Sequence, residues 1–462
     1  MPSCDPAVGG IRADCPGIFV SSSLGDDGHA GTRDAPLRTM AVAIQVARSG
    51  PQRLYACAET FAEAVSLPAG LEVWGGLDCT RSWAYVGEDA KTAIVPVPGL
   101  IPLRVVAGSG RATIADVRAE AASAVQAGGS SIAVLVETSA AADILRSDLR
   151  AGDGAHGVKG NSGGSVSASA GAPGAPGAPA CSATTVSGGA GALSVCHGYT
   201  SAGGTGGIGG VDVGGPGTRG TPEPYMNPAG DGLGGAGWST GMSCGHGMFG
   251  ADGDPGAHGQ GAVHTWGISE LGWSGPAGED GSAGRPGQGG GGGGGARAGA
   301  PFCGAALGGA SGGGGGAGGC GGAGGKAGGA GGASLGVLTL GGDVTLRATS
   351  ISTGRGGDGG DGGPGQEGGP GGIGGVAGAR VNGSPLGCGG GSGGAGGKGG
   401  HGGGGAGGPS LGILFPFGAS PLQDAAIRTG EAGKGGLGGE PSVPGSAGED
   451  GVRADTLGVP PR

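Results

Sequence analysis

The residues in this sequence able to do chemistry are few and widely scattered. Ten cysteines (Cys4, Cys15, Cys57, Cys79, Cys181, Cys196, Cys244, Cys303, Cys320 and Cys388) stand far apart, with no Cys-x-x-Cys among them. An even count in that pattern reads as a disulfide framework, not as a zinc or redox site. Cys196-His197 and Cys244-Gly245-His246 set a thiol near an imidazole, but at no spacing used by zinc. Asp358 and Asp361, three residues apart, would lie about 9 Å from each other at a rise of about 3.1 Å per residue. That is too far to share one calcium ion without another segment, and no stretch follows the nonapeptide calcium repeat. Asp116 near Arg118 could serve a polysaccharide lyase, yet one such pair is ordinarily a solvated face. Trp74, Trp83 and Tyr85 near Cys79 offer a sugar-stacking surface or, as the better expectation, core packing. Gly-x-Gly-x-x-Gly matches abound, but among 132 glycines they carry no information. No catalytic, cofactor-binding or metal-binding residue is assigned, and no cofactor is expected.

The elements that must position these residues divide sharply by composition. Of the 132 glycines in 462 residues, only 16 fall within residues 1–150. Leu, Ile, Val and Phe thin out over the remainder, below what a conventional core needs. That remainder is either disordered or ordered by something other than side-chain burial. Net charge is −10, and the lysines are isolated from one another, so nucleic acid is an unexpected partner. No apolar run is long enough for a transmembrane helix. The start Met1-Pro2-Ser3-Cys4-Asp5 has no leader-like character, whereas the cysteines argue for an oxidising compartment. The expectation is an extracellular or cell-surface protein whose signal peptide is not part of this sequence.

In the first 150 residues, Ile18-Phe19-Val20-Ser21-Ser22-Ser23 predicts a short strand. Leu37, Met40, Ala41, Ile44 and Ala47 then define one face of a helix, with Asp34 or Pro36 near its start and Gly50-Pro51 at its stop. Short strands are predicted at 53–57, 63–67, 71–76, 94–97, 103–106 and 114–117, separated by turns that lack hairpin dipeptides. Cys57 and Cys79 sit at the ends of neighbouring predicted strands, which predicts a disulfide between them; Cys4 and Cys15 are further candidates. The run from Ile18 to Cys79, with Gly31-Thr32 and Pro36 in its turn and Gly75-Gly76 closing a coil, resembles the opening of pectin-lyase-like right-handed β-helix proteins. That resemblance implies a helix capping the first coil and raises polysaccharide chemistry as an alternative. With its glycine-rich remainder, the chain resembles the secreted PGRS-like proteins of myxobacteria.

A repeat lies inside the glycine. Ser131-Ile132-Ala133-Val134-Leu135, Ser334-Leu335-Gly336-Val337-Leu338 and Ser410-Leu411-Gly412-Ile413-Leu414 each lead to a closing glycine, Gly152, Gly354 or Gly430. The Ser-to-Gly spacings are 21, 20 and 20 residues, about one solenoid coil. In these coils Asp148, Ser350 and Ala426 align, so no carboxylate stacks from coil to coil. Between the coils glycine is phased in threes, and the third phase carries Asp358, Asp361, Pro364, Glu367, Pro370, Ile373 and Val376. Three residues per turn is the period of polyproline II, so two faces are bare and backbones can approach. Collagen-like triplets at 171–177 and 278–287 are too short for a triple helix.

The expected fold is all-β: a right-handed parallel β-helix with an N-terminal capping helix, carrying glycine-rich excursions that form a polyglycine II helix bundle. Its divisions are 1–152 (cap and coils), 153–333 (long excursion), 334–354 (coil), 355–409 (excursion), 410–430 (coil) and 431–462 (tail). The expected function is a non-enzymatic structural or adhesive role outside the cell. The alternative is a carbohydrate-binding or polysaccharide-degrading protein, with extracellular polysaccharide or cell-surface components as partners.

Overall fold

The computed structural model describes residues 4–196, 198–224, 229–240, 242–263, 267–269, 272–418 and 421–460. The fold is essentially all-β, with large parallel sheets and one short α-helix. Successive strands fall into three rows. The first holds Ile18–Val20, Arg53–Cys57, Glu72–Asp78, Ala112–Ala115, Ala141–Leu145 and the front of Asp343–Thr353. The second holds Thr60–Phe61, Thr92–Ile94, Val117–Ala121, Asp148–Ala151 and the back of Asp343–Thr353. Leu422–Arg428 continues both of these rows. The third holds Val65–Pro68, Leu103–Val106, Ser131–Val136, Ser334–Thr339, Ser410–Pro416 and Arg453–Val459.

The three segments aligned by sequence are stacked in register. Ser131 pairs with Ser334 and Ser334 with Ser410, while Leu149 pairs with Ile351 and Ile351 with Ile427. Stacking is what buries their apolar residues: Val134, Val337 and Ile413 lie in one core with Leu149, Ile351 and the first-row Ile114 and Ile144. The outer face of the third row is covered as well, with Ile132, Leu135, Leu335 and Leu414 packed with Trp273. Burial on both faces explains why these strands read as continuous apolar runs. The repeated small residue has a steric cause. A Cβ at Gly336 would strike the Ile351 side chain, and one at Gly412 would strike Ile427.

Rows one and two meet at a corner made by one left-handed residue per coil: Gly76, Asp116, Arg146 and Ala348, at φ 65°, 57°, 44° and 47°. The run predicted at 114–117 is therefore two strands, split where Asp116 turns the chain. Buried hydroxyls satisfy the backbone at this corner. Thr92 Oγ1 donates to the Cys57 carbonyl (2.7 Å), Ser147 Oγ to that of Leu145 (2.8 Å) and Thr349 Oγ1 to that of Arg347 (3.0 Å).

The helix is Met40–Arg48, and its start differs from the expected one. Thr39, not Asp34 or Pro36, is the N-cap, accepting the Val42 N–H, and the Glu63 carboxylate takes the Met40 and Ala41 N–H groups (2.7 and 3.1 Å). These bonds satisfy first-turn donors that a helix leaves unpaired. Its buried face is Met40, Ala43, Ile44 and Ala47; Ala41 points outward.

The glycine-rich segments are extended and paired through backbone hydrogen bonds in steps of three residues. Residues 312–331 run through their middle and are largely buried. One phase of this segment donates to a neighbour running the same way: Gly313 to Cys388, Gly316 to Gly391 and Gly319 to Gly394 (each 3.0 Å), continuing to Gly331 and Ala406 (2.9 Å). The next phase serves a neighbour running the other way, Gly314 to Ala175, Ala317 to Ala172 and Cys320 to Ser169 (each 2.9 Å). A third side accepts from 278–293, as in Gly290 to Gly316 (2.8 Å) and Gly293 to Gly313 (2.8 Å). These are ordinary N–H···O bonds made by the backbone itself, as the close approach of bare glycine faces allows. Third-phase residues point outward: Ile373 and Val376 are 71% and 70% exposed.

The segment 431–462 is more than a tail. Gly433–Gly451 contributes further glycine pairing, and Arg453–Val459 returns to extend the third row beside Ser410–Pro416. Its Arg-Ala-Asp-Thr-Leu-Gly-Val lacks the serine and apolar pair that mark the other coils, which hid it in the sequence.

Candidate functional site

All ten cysteines are bonded, as Cys4–Cys15, Cys57–Cys79, Cys181–Cys303, Cys196–Cys320 and Cys244–Cys388. The first two close short loops near the start of the coils, with Cα atoms 5.7 and 5.6 Å apart. The other three span 122, 124 and 144 residues and tie glycine-rich segments together. Five disulfides point to an oxidising environment. Among the described residues no helix is long and apolar enough to cross a membrane.

Near the first disulfide lies a charged cluster. Cys4–Cys15 holds the segment that presents Asp5, and Arg146 forks between Asp5 (2.9 Å) and Asp116 (2.8 Å). Tyr85 Oη donates to Asp116 (3.0 Å), and Lys91 Nζ lies 4.0 Å from the same carboxylate. Asp116 is 1% exposed. Burial opposes the charge on Arg146, but its hydrogen bonds to Asp116 and Asp5, together with their negative charges, outweigh it and raise its pKa. Burial and the Asp116 charge push the Tyr85 phenol up to about 12. The pair expected between Asp116 and Arg118 is therefore corrected: Arg118 Nε lies 3.9 Å from Asp148, and Asp116 faces inward onto Arg146. The left-handed turn at Asp116 reverses the side on which its carboxylate emerges, which adjacency in sequence does not convey. The cluster is internally neutralised and fixes a coil corner.

Trp74 and Trp83 are core residues, packed with Phe19 and Tyr55; the Phe19 and Trp83 ring centroids are 4.7 Å apart, edge to face. They present no sugar platform. Asp148 pairs with Ser350, and Ser350 with Ala426, so the register carries no carboxylate ladder; Ser350 Oγ donates to Asp148 (2.6 Å). His246 Nδ1 accepts the Gly389 N–H (3.1 Å), beside the Cys244–Cys388 bridge; His197 lies outside the described residues. Asp358 accepts the Lys434 N–H (2.8 Å) and Asp361 the Leu437 N–H (3.0 Å). The Asp358 carboxylate also lies 3.4 Å from the His156 ring nitrogen, and that of Asp361 lies 3.7 Å from the Lys159 ammonium. Both aspartates thus serve as acceptors for an adjoining segment. Among the described residues no group of three or more His, Cys, Asp or Glu is placed to hold a metal ion.

One surface feature was not legible in the sequence. A cleft of about 670 Å³ is lined by Tyr199, Glu223, Asp252, Asp254, Arg285 and Gln288, with Pro222, Pro224 and Pro286 in its walls. The hairpin of Leu193–Cys196 and Tyr199–Ala202 supplies Tyr199, and Cys196–Cys320 anchors that hairpin to the central glycine segment. Gln288 is buried and locks the floor, donating to the Gly220 carbonyl (3.1 Å) and accepting the Ala251 N–H (3.2 Å). Tyr199 is 52% exposed, with the Arg285 guanidinium 5.8 Å above its ring. The residues come from four distant segments brought together by glycine pairing, so no local pattern could announce them.

No family model matches the chain, and comparison with the curated proteins finds no match.

Proposed function

We propose that this chain is a secreted or cell-surface structural protein, of the kind its resemblance to PGRS-like glycine-rich proteins implies. In this reading the three strand rows are the faces of a right-handed parallel β-helix and Met40–Arg48 caps its first coil. The glycine excursions form a polyglycine II bundle, a flat, rigid body whose outward third-phase residues meet the surroundings. The observation that carries the reading is the saturation of the glycine segments by their own backbone: bonds at every third residue fill the interior mostly with glycine and alanine and turn Pro370, Ile373 and Val376 outward. Adhesion through such a rim follows from its shape and from its stiffness under disulfide ties.

The cleft at Tyr199 favours a second reading, carbohydrate binding. An exposed aromatic ring flanked by planar polar groups suits a sugar, whose C–H face stacks while its hydroxyls bond to carboxylate and guanidinium. Three carboxylates against one guanidinium favour a neutral or amino sugar over a uronate. The test is incubation of the oxidised chain with pectin, alginate, xylan and chitin fragments, together with a glycan array. No turnover and no binding is the expected outcome of the structural reading. Binding lost in Tyr199→Ala would favour the second reading, and turnover of any polymer would overturn the first.

A further inference from the structure

Where three glycine-rich segments run side by side, two histidines stack. The rings of His258 and His401 lie 5.0 Å apart with their planes at 22°. His258 Nδ1 accepts the backbone N–H of His401 (3.1 Å), and His401 Nδ1 accepts the N–H of Gly365 (3.3 Å). A neutral imidazole has one lone pair in its plane, so both rings must carry their hydrogen on Nε2 to make these bonds. Protonation adds a hydrogen at Nδ1, and each acceptor becomes a donor facing a donor. Elsewhere the same acceptor position is filled by single imidazoles, His156 Nδ1 for the Asp358 N–H (3.0 Å) and His246 Nδ1 for the Gly389 N–H (3.1 Å), or by groups that stay acceptors in mild acid. Gln366 Oε1 takes the Ala323 N–H (2.8 Å), and Asp252 takes that of Ala395 (2.7 Å).

We propose that the His258–His401 stack is an acid-sensitive seam, closed while both imidazoles are neutral and loosened when they take up protons, so that segments 256–260, 363–367 and 399–403 separate locally in acid. The surroundings do little to favour the charged form. His401 is 5% exposed and Lys398 stands three residues away on the same face. Lys398 is paired with Glu367 (2.9 Å), and Glu440 is 4.0 Å from His401 Nε2. On the adjoining segment, Asp280 is engaged with Lys326 (2.7 Å) and Glu279 with the Gln260 N–H (3.5 Å). Asp254 lies on the His258 segment four residues away, lining the cleft. Burial, then the charges of Lys398 and His258, hold the His401 imidazole below its ordinary value of 6.5. A group whose folded pKa is lowered contributes its full stabilisation above the unfolded value and loses it as pH falls toward the folded one.

The test is amide hydrogen exchange on the oxidised full chain at pH 7.5 and 5.0, expressed as protection relative to intrinsic rates. Peptides covering 256–260, 363–367 and 399–403 are expected to lose about tenfold or more in protection. Residues 312–319, which carry no titrating side chain, keep theirs. The double variant His258→Gln and His401→Gln supplies acceptors that do not titrate and is expected to abolish the difference. Unchanged protection in the native chain, or the same loss in the double variant, overturns the proposal. Independently of any variant, ring-nitrogen NMR of the native chain at pH 7.5 is expected to show Nδ1 bare on both rings, and a hydrogen on either Nδ1 overturns it.

Discussion

In reductant at neutral pH, the glycine-rich segments lose their amide protection while the stacked coils around Val134, Val337 and Ile413 keep most of theirs. The cause is the balance of local forces. Ordering one residue costs about 1–2 kcal/mol, and glycine stands at the upper end. A backbone hydrogen bond returns a net of only about 0.5–1.5 kcal/mol. The coils add apolar burial to that balance; the glycine segments add almost none. What they have instead is Cys181–Cys303, Cys196–Cys320 and Cys244–Cys388, each closing a loop of more than a hundred residues. Restricting the unfolded chain over such loops stabilises by about 3–5 kcal/mol per bridge in the chain-entropy treatment. The paired variant Cys244→Ser with Cys388→Ser isolates one of them, because it joins the 153–333 and 355–409 excursions. Hydrogen exchange before and after reduction reads the effect; unchanged protection across 312–331 after full reduction would show that the bridges are dispensable.

A second large effect comes from one methyl group. Gly314→Ala places a Cβ against the Ala190 carbonyl, a backbone atom that cannot swing aside. Overpacking against fixed neighbours costs about 1–3 kcal/mol in thermal or denaturant unfolding. In a flexible glycine tract the same substitution would be neutral or slightly stabilising, because alanine lowers the entropy of the unfolded chain. The sign of the change therefore separates packed from unpacked glycine. Ile373→Ala, at an outward third-phase position, is the control and shifts stability by no more than about 0.5 kcal/mol. Equal, small effects of the two substitutions would contradict the packing described above.

Sequence revealed the periodic features and missed the ones made by pairing at a distance. Ser131, Ser334 and Ser410 could be aligned because a solenoid repeats the same steric demand in every coil, down to the small residue beside Ile351 or Ile427. The three-residue phase of glycine likewise announced which positions face outward. Direction did not follow from phase. Nothing local tells that 312–331 runs parallel to 388–406 and antiparallel to 155–175, since any glycine backbone can pair either way. For the same reason the cleft at Tyr199 and the His258–His401 stack, each built from segments far apart in the chain, were out of reach. Asp116 departs from expectation for a different cause: its left-handed conformation turns the carboxylate into the corner between the first two rows, away from Arg118. Arg453–Val459 escaped because its alternation is weak and its row neighbours supply the apolar contacts.

Small-angle scattering on the oxidised chain tests most directly whether the glycine-rich segments are folded onto the coils. Compact packing of 462 residues corresponds to a radius of gyration near 23 Å, and a fully unfolded chain to about 80 Å. A value below about 30 Å is the result expected if backbone pairing orders the glycine. A value above about 50 Å would mean flexible loops trailing from a small stack of coils, and would contradict the account.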